Sequence, residues 1–182
     1  MHPVLFQIGG VTLYSFGLMV AVGCLISGLW LLRHGRSRGI DPNLLLDLAI
    51  GLFLSGLLGA RLSFVLLHLD WYRLHPLEII QIQQGGLVVY GGVLLAVLFG
   101  VFFTRRKTLS FWAIADLVVP FWVLGQAFGR IGCFLNGCCY GRPSSLFFAV
   151  RLPASALRVH PTQLYESAGL FFLFGGLLYA RR

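Results

Sequence analysis

The residues best suited to chemistry cluster in three places. The densest is Gly125-Gln126-Ala127-Phe128-Gly129-Arg130-Ile131-Gly132-Cys133-Phe134-Leu135-Asn136-Gly137-Cys138-Cys139-Tyr140-Gly141-Arg142, with five glycines and two arginines in eighteen residues. Glycine lets backbone N–H groups approach a ligand closely. Arginine offers a planar donor fork matched to phosphate oxygens. The composition favours an anion-binding loop over helix; the plainer alternative is an irregular outer loop with glycine turns. The second cluster is His160-Pro161-Thr162-Gln163-Leu164-Tyr165-Glu166-Ser167. Proline suits a first helical turn, so Thr162, Tyr165 and Glu166 share one face at i, i+3 and i+4. Such a face could handle a proton or hold an arginine, or simply cap a helix. The third is Gly85-Gly86-Leu87-Val88-Val89-Tyr90-Gly91-Gly92. Its glycines permit close helix packing; its tyrosine could present a hydroxyl to a lipid headgroup.

Single residues add to this. Arg61, in Gly59-Ala60-Arg61-Leu62, sits where a charge costs about 2.5–3.5 kcal/mol in a membrane helix. It either snorkels to the headgroups or binds phosphate or carboxylate. Asp116 reads first as a structural partner for an arginine, second as a site residue. Cys24, Cys133, Cys138 and Cys139 are too few for a disulfide scaffold and form no CxxC pair. A metal site would have only His160 as a nearby fourth ligand, so neither metal nor cofactor is expected.

These clusters need elements to carry them, and composition says which kind. Of 182 residues, 58% are hydrophobic and 11% charged, against about 45–50% and about 25% in soluble domains. Mean hydropathy is +0.85. This excludes a soluble enzyme, a disordered chain and a nucleic-acid-binding domain. The net charge of +8 reads as orientation signals and contacts with anionic headgroups. Met1-His2-Pro3-Val4 carries no basic run, so no cleavable signal peptide is expected.

Five stretches approach the roughly 20 apolar residues that a spanning helix needs: Val11 to Leu32, Leu44 to Leu69, Leu87 to Thr104, Leu109 to Phe128 and Gln163 to Ala180. If they alternate, Arg33, Arg36, Arg38, Arg105, Arg106, Lys107, Arg181 and Arg182 share one side. The opposite side has only Arg73, Arg130, Arg142, Arg151 and Arg158. The basic-rich side should be cytoplasmic. The expectation is an all-α, polytopic inner-membrane bundle of about five helices, N-out and C-in, forming a single domain over residues 1–182 with short outward-facing loops. Trp71, Tyr72, Trp112 and Trp122 lie near span ends, as an aromatic belt requires. The 70–86 connector reads as a helix in the interface plane, and a small strand is expected around Phe147 to Leu152.

The three clusters, in this order on this topology, resemble the prolipoprotein diacylglyceryl transferase family. Its signature is approximately G-R-x-G-N-F-x-N-x-E-x-x-G, and this chain has Gly129-Arg130-Ile131-Gly132-Cys133-Phe134-Leu135-Asn136-Gly137-Cys138-Cys139-Tyr140-Gly141. The family's HPSQLYE-type segment corresponds to His160 through Glu166. Its HGG element aligns with Tyr90-Gly91-Gly92, its GxR element with Gly59-Ala60-Arg61 and its YG element with Phe16-Gly17. The chain departs from the pattern at Cys133 for asparagine, Cys138 for glutamate, Tyr90 for histidine and Phe16 for tyrosine. Familiar members also carry further membrane helices after this region.

The resemblance implies a transferase at the outer leaflet of the bacterial cytoplasmic membrane, working without a cofactor. Phosphatidylglycerol would be the donor and the lipobox cysteine of a preprolipoprotein the acceptor; membrane lipids, not nucleic acid, would be its partners. Arg130 would take the phosphate, with Arg61 and Arg158 as candidate partners. Asn136 and the N–H groups of Gly132 and Gly137 would hold headgroup oxygens. Tyr90, His160 or Glu166 would assist the proton. Two other readings stay open: a noncatalytic lipid-binding relative that kept the fold, and a membrane thiol oxidoreductase using the clustered cysteines.

Overall fold

The computed structural model describes residues 3–9, 11–81, 85–151 and 157–180. Met1, His2, Leu152, Ser155, Arg181, Arg182 and part of the 70–86 connector lie outside the described residues. The element order is β1 (Val4–Ile8), β2 (Val11–Tyr14), α1 (Ser15–Ser37), α2 (Pro42–Leu67), α3 (Leu69–Leu74), a 3₁₀ turn (Pro76–Ile80), α4 (Val89–Arg106), α5 (Phe111–Asn136), β3 (Val150–Arg151), β4 (Arg158–Val159) and α6 (Thr162–Tyr179).

This is an all-α polytopic membrane protein with two small antiparallel hairpins, β1–β2 and β3–β4. Among the described residues four helices, α1, α2, α4 and α5, are long and apolar enough to cross a membrane. The fifth expected span is helical as α6, but its first turns carry Thr162, Gln163, Tyr165, Glu166 and Ser167. Its continuous apolar run begins only at Ala168. The outer faces of the long helices stay apolar and exposed, as at Leu58, Leu62 and Leu66 of α2 and Leu94 and Phe102 of α4. In water such faces would be costly; in lipid they are the expected surface.

Two expected boundaries move. Val11 to Tyr14 pairs with β1 instead of opening the first span. Gly9, at φ +55, takes a turn conformation that favours glycine, and the Ser15 N–H donates to the Pro3 carbonyl at 3.0 Å, tying the hairpin to the start of α1. The fourth span runs on to Asn136, so most of the glycine-rich signature is helix. The in-plane helix expected over 70–86 is a six-residue α3 followed by the 3₁₀ turn.

The chain divides into two compact units, Met1–His34 with Asp116–Arg182, and Gly35–Ala115. In the first, α5 turns Leu117, Phe121, Leu124 and Ala127 inward, a helical stripe of spacing 4, 3, 3. The Ser167 hydroxyl of α6 donates to the Ala127 carbonyl at 3.0 Å, and Gly23 of α1 lies so close to α5 that a Cβ there would stand 2.9 Å from Phe128. In the second unit, the Asp41 carboxylate caps α2 by accepting from the Asn43 N–H at 2.9 Å, and Leu45 and Leu48 supply buried core. There α2 meets α4 through glycine. A Cβ on Gly59 would lie 2.4 Å from the Gly91 carbonyl oxygen, and one on Gly91 would lie 1.8 Å from Ser63 Oγ. The packing reading of Tyr90-Gly91-Gly92 therefore describes the two glycines, which let the backbones touch.

Candidate functional site

In the first unit the two specific motifs meet. Arg130 sits in the last two turns of α5 and Glu166 in the second turn of α6. Arg130 Nε lies 2.8 Å from Glu166 Oε2, the only ion pair among the described residues. The pair is partly open, with side chains 36% and 47% exposed, so a ligand can reach the guanidinium. Asp116, the other expected arginine partner, is exposed and makes no ion pair with a described residue.

Beside the pair, His160 Nδ1 and the Tyr165 hydroxyl lie 3.1 Å apart, with the Phe148 ring tilted against His160 at 6.0 Å and edge-on to Tyr165 at 6.3 Å. Strand β4 delivers His160: its N–H donates to the Arg142 carbonyl at 3.1 Å, and its carbonyl accepts from the Gly141 N–H at 3.0 Å. Gly141 is needed there, since a Cβ would meet Thr162 Cγ2 at 2.6 Å. Helix α6 thus presents two faces: Tyr165 and Glu166 point outward, Gln163 and Ser167 inward.

The inward residues were not singled out as site residues from sequence. Gln163 Nε2 donates to the Cys138 carbonyl, and the Thr162 hydroxyl donates to the Cys139 carbonyl at 2.9 Å. These bonds fix the loop after α5 onto α6. Gln163 Oε1 is buried with no partner among the described residues. The available signal was the i, i+4 spacing of Gln163 and Ser167, opposite in phase to Tyr165 and Glu166.

The anion-binding glycine loop is corrected by the helix. Gly132 lies inside α5, where its N–H belongs to the helical ladder, and α1 passes so close that a Cβ there would stand 3.1 Å from Met19 Cβ and 3.2 Å from the Phe16 ring. Gly137, at φ +75, ends the helix. Its N–H donates to the Phe134 carbonyl and that of Cys138 to the Cys133 carbonyl, both at 3.1 Å, the bond pair of a Schellman cap. Neither glycine N–H is left for a headgroup. Asn136 is exposed at the end of α5, and Arg158 is exposed on β4.

Arg61 and Tyr90 belong to the second unit. Arg61 is 7% exposed, and all five of its N–H donors are engaged. Nε donates to the Ile79 carbonyl at 2.8 Å. Nη1 donates to Gly85 and Gly86 at 2.8 and 3.1 Å, and Nη2 to Glu78 and Gln81 at 2.5 and 3.4 Å. The guanidinium also faces the Tyr72 ring at 5.4 Å, which buries Tyr72 instead of placing it in the aromatic belt. Arg61 is thus neither a snorkelling residue nor an open phosphate receptor; it clamps the segment that leads into α4. Tyr90 is 87% exposed on the first turn of α4.

The cysteines are all free. Cys133, Cys138 and Cys139 bring their sulfurs within 4.8 Å of one another, without His160. Cys139 holds φ +61, a backbone state that costs a non-glycine residue about 1–3 kcal/mol. Burial, then the neighbouring Cys138, pushes the Cys139 thiol above its usual range.

The model of the family described as "Prolipoprotein diacylglyceryl transferase" matches residues 3–182. The chain is 38% identical to the phosphatidylglycerol–prolipoprotein diacylglyceryl transferase of Trichormus variabilis, over 97% of this chain and 65% of the relative. It is 34% identical to that of Clostridium tetani, over 100% of this chain and 75% of the relative. For Bacillus licheniformis the figures are 36% identity, 94% and 67%. The chain spans about two thirds of the length of these curated relatives.

Proposed function

The chain belongs to the prolipoprotein diacylglyceryl transferase family, and from that premise we propose that it moves diacylglyceryl from phosphatidylglycerol to the lipobox cysteine of a preprolipoprotein. The acceptor thiol loses its proton, and its sulfur bonds to the diacylglyceryl carbon that carries the phosphate. The carbon–oxygen bond breaks, and glycerol phosphate leaves with the electron pair. Two tasks fall to the protein: accepting the proton of a thiol whose ordinary pKa is about 8.5, and stabilising the departing phosphate with preorganised cationic donors.

The observation that carries this reading is the Arg130–Glu166 pair beside the His160–Tyr165 pair on α5, β4 and α6. Arg130 is the phosphate receptor, oriented by Glu166. Because Nε takes the glutamate, Arg130 can turn its two terminal nitrogens to phosphate oxygens. His160, with Tyr165 on its Nδ1, is the proton acceptor. Arg158 and Asn136, both exposed, are further headgroup contacts. In the second unit, Tyr90 presents its exposed hydroxyl to a lipid headgroup at the outer end of α4. The basic connectors orient the chain N-out in the bacterial cytoplasmic membrane, with this site at the outer leaflet.

The test is transfer of label from radiolabelled phosphatidylglycerol to a lipobox peptide by the membrane-embedded chain. Arg130→Ala should abolish transfer with insertion intact. Wild-type transfer by that variant would remove the phosphate site from Arg130. No transfer by the unaltered chain, with phosphatidylglycerol still bound, would favour the noncatalytic relative.

A further inference from the structure

The transfer reaction leaves the three clustered cysteines without a task, because its reactive thiol belongs to the substrate. Their arrangement is nonetheless specific. Cys133 lies in the last turn of α5. The cap at Gly137 folds the chain back, so that the Cys138 N–H donates to the Cys133 carbonyl at 3.1 Å. The left-handed backbone of Cys139 makes a second turn immediately afterwards. Both loop carbonyls are then tied to α6, that of Cys138 by Gln163 and that of Cys139 by Thr162. Backbone strain and two side-chain clamps therefore hold three sulfurs within 4.8 Å of one another.

We propose that Cys133, Cys138 and Cys139 form a binding site for one thiophilic d10 cation, zinc(II) or copper(I), held by three thiolates. Three sulfurs bonded to zinc at about 2.3 Å stand about 3.8 Å apart in a tetrahedron. Closing from 4.8 Å therefore needs only side-chain rotation of about an ångström. Soft thiolate donors select zinc or copper(I) over the hard cations. Copper(I) is satisfied by the three sulfurs. Zinc takes a fourth ligand, which here is water, since His160 stands outside the cluster. Gln163 leaves a buried, unpartnered Oε1 among the described residues, next to the loop that its Nε2 clamps, and a metal-bound water would satisfy it. Arg130, one helical turn before Cys133, offsets the negative charge of the thiolates. On binding, the thiol protons pass to solvent, and no electron transfer is involved.

The test uses the full chain in detergent, reduced and desalted under argon. It is titrated in separate arms with cadmium(II), a zinc surrogate, and with copper(I). A thiolate-to-metal charge-transfer band should saturate at one metal per chain. The thiols reactive toward an alkylating reagent should fall from four to the single Cys24. Saturation in both arms identifies a zinc-type site with a fourth ligand, and saturation with copper alone a three-coordinate one; either supports the proposal. Cys24→Ser should bind unchanged. Serine at any of the three cluster positions should weaken binding by about 100-fold or more, beyond the 10–100-fold typical of losing an outer partner. Four reactive thiols at saturating metal in the unaltered chain would overturn the site without any variant. So would unaltered affinity in the triple-serine protein.

Discussion

Glu166→Gln separates the chemistry of the arginine from its packing. The substitution keeps the length of the side chain and an acceptor for Arg130 Nε; it removes only the charge. The pair spans 2.8 Å with side chains 36% and 47% exposed, so solvent screens it, and such pairs contribute about 0.2–1 kcal/mol to stability. In a chain of this size about 1 kcal/mol moves the melting temperature by about 2–4 °C, which bounds the effect on the fold. The effect on transfer should be larger. A hydrogen bond to a charged group is worth about 1.5–3 kcal/mol and a neutral one about 0.5–1.5 kcal/mol. The difference, about 1–1.5 kcal/mol, becomes about a 5- to 13-fold fall in kcat/KM once lipid replaces water around the pair. The assay is phosphatidylglycerol-to-peptide transfer at matched membrane expression, with melting followed in detergent. The double variant Arg130→Lys/Glu166→Gln should lose less than the product of the two single losses, because Glu166 acts through the arginine. Unaltered transfer in Glu166→Gln, or losses that multiply in the double variant, would refute the reasoning.

Other outcomes follow from the same geometry. Arg130→Lys should rescue transfer poorly, because a point charge cannot keep one donor on Glu166 and a fork on phosphate; Arg142→Ala, at an exposed position without an ion pair among the described residues, should be mild in the same assay. The Cys133→Ser/Cys138→Ser/Cys139→Ser protein should retain much of the transfer activity, whereas thiol oxidoreductase chemistry requires it to be dead. A cysteine at Ser37, in intact cells, should be shielded from an impermeant thiol reagent; its labelling would invert the proposed orientation. Arg61→Lys should destabilise the chain by about 2 kcal/mol or more in detergent melting, since three donors replace five and two part-buried carbonyls lose a partner at about 1 kcal/mol or more each.

Membrane class and the places of the four apolar helices were legible because both depend on local averages: a run of apolar residues must be helical in lipid whatever surrounds it. The motif pairing was legible in part. A carboxylate partner for Arg130 follows from an arginine that must be compensated near lipid, but Glu166 and Asp116 were both open for that role, and the fold brings Glu166 to it. The roles of individual donors were not legible, because they depend on what the backbone has already consumed. Gly132 and Gly137 carry the composition of an anion-binding loop, yet one packs against α1 inside a helix and the other closes its cap. Helix continuation through glycine costs only about 1 kcal/mol per residue, which the contact with Met19 and Phe16 can offset. Arg61 carries the signature of a ligand-binding intramembrane charge, and only the carbonyls of Glu78, Ile79, Gln81, Gly85 and Gly86 brought onto it show that its five donors are spent. The same holds for the cysteines. Their number and spacing exclude a CxxC pair, but a left-handed residue and two bonds from α6 bring Cys133 beside Cys138 and Cys139. Sequence determines which groups a segment offers. Tertiary structure decides which remain available, because each donor, acceptor and sulfur can satisfy only the neighbours that the fold brings to it.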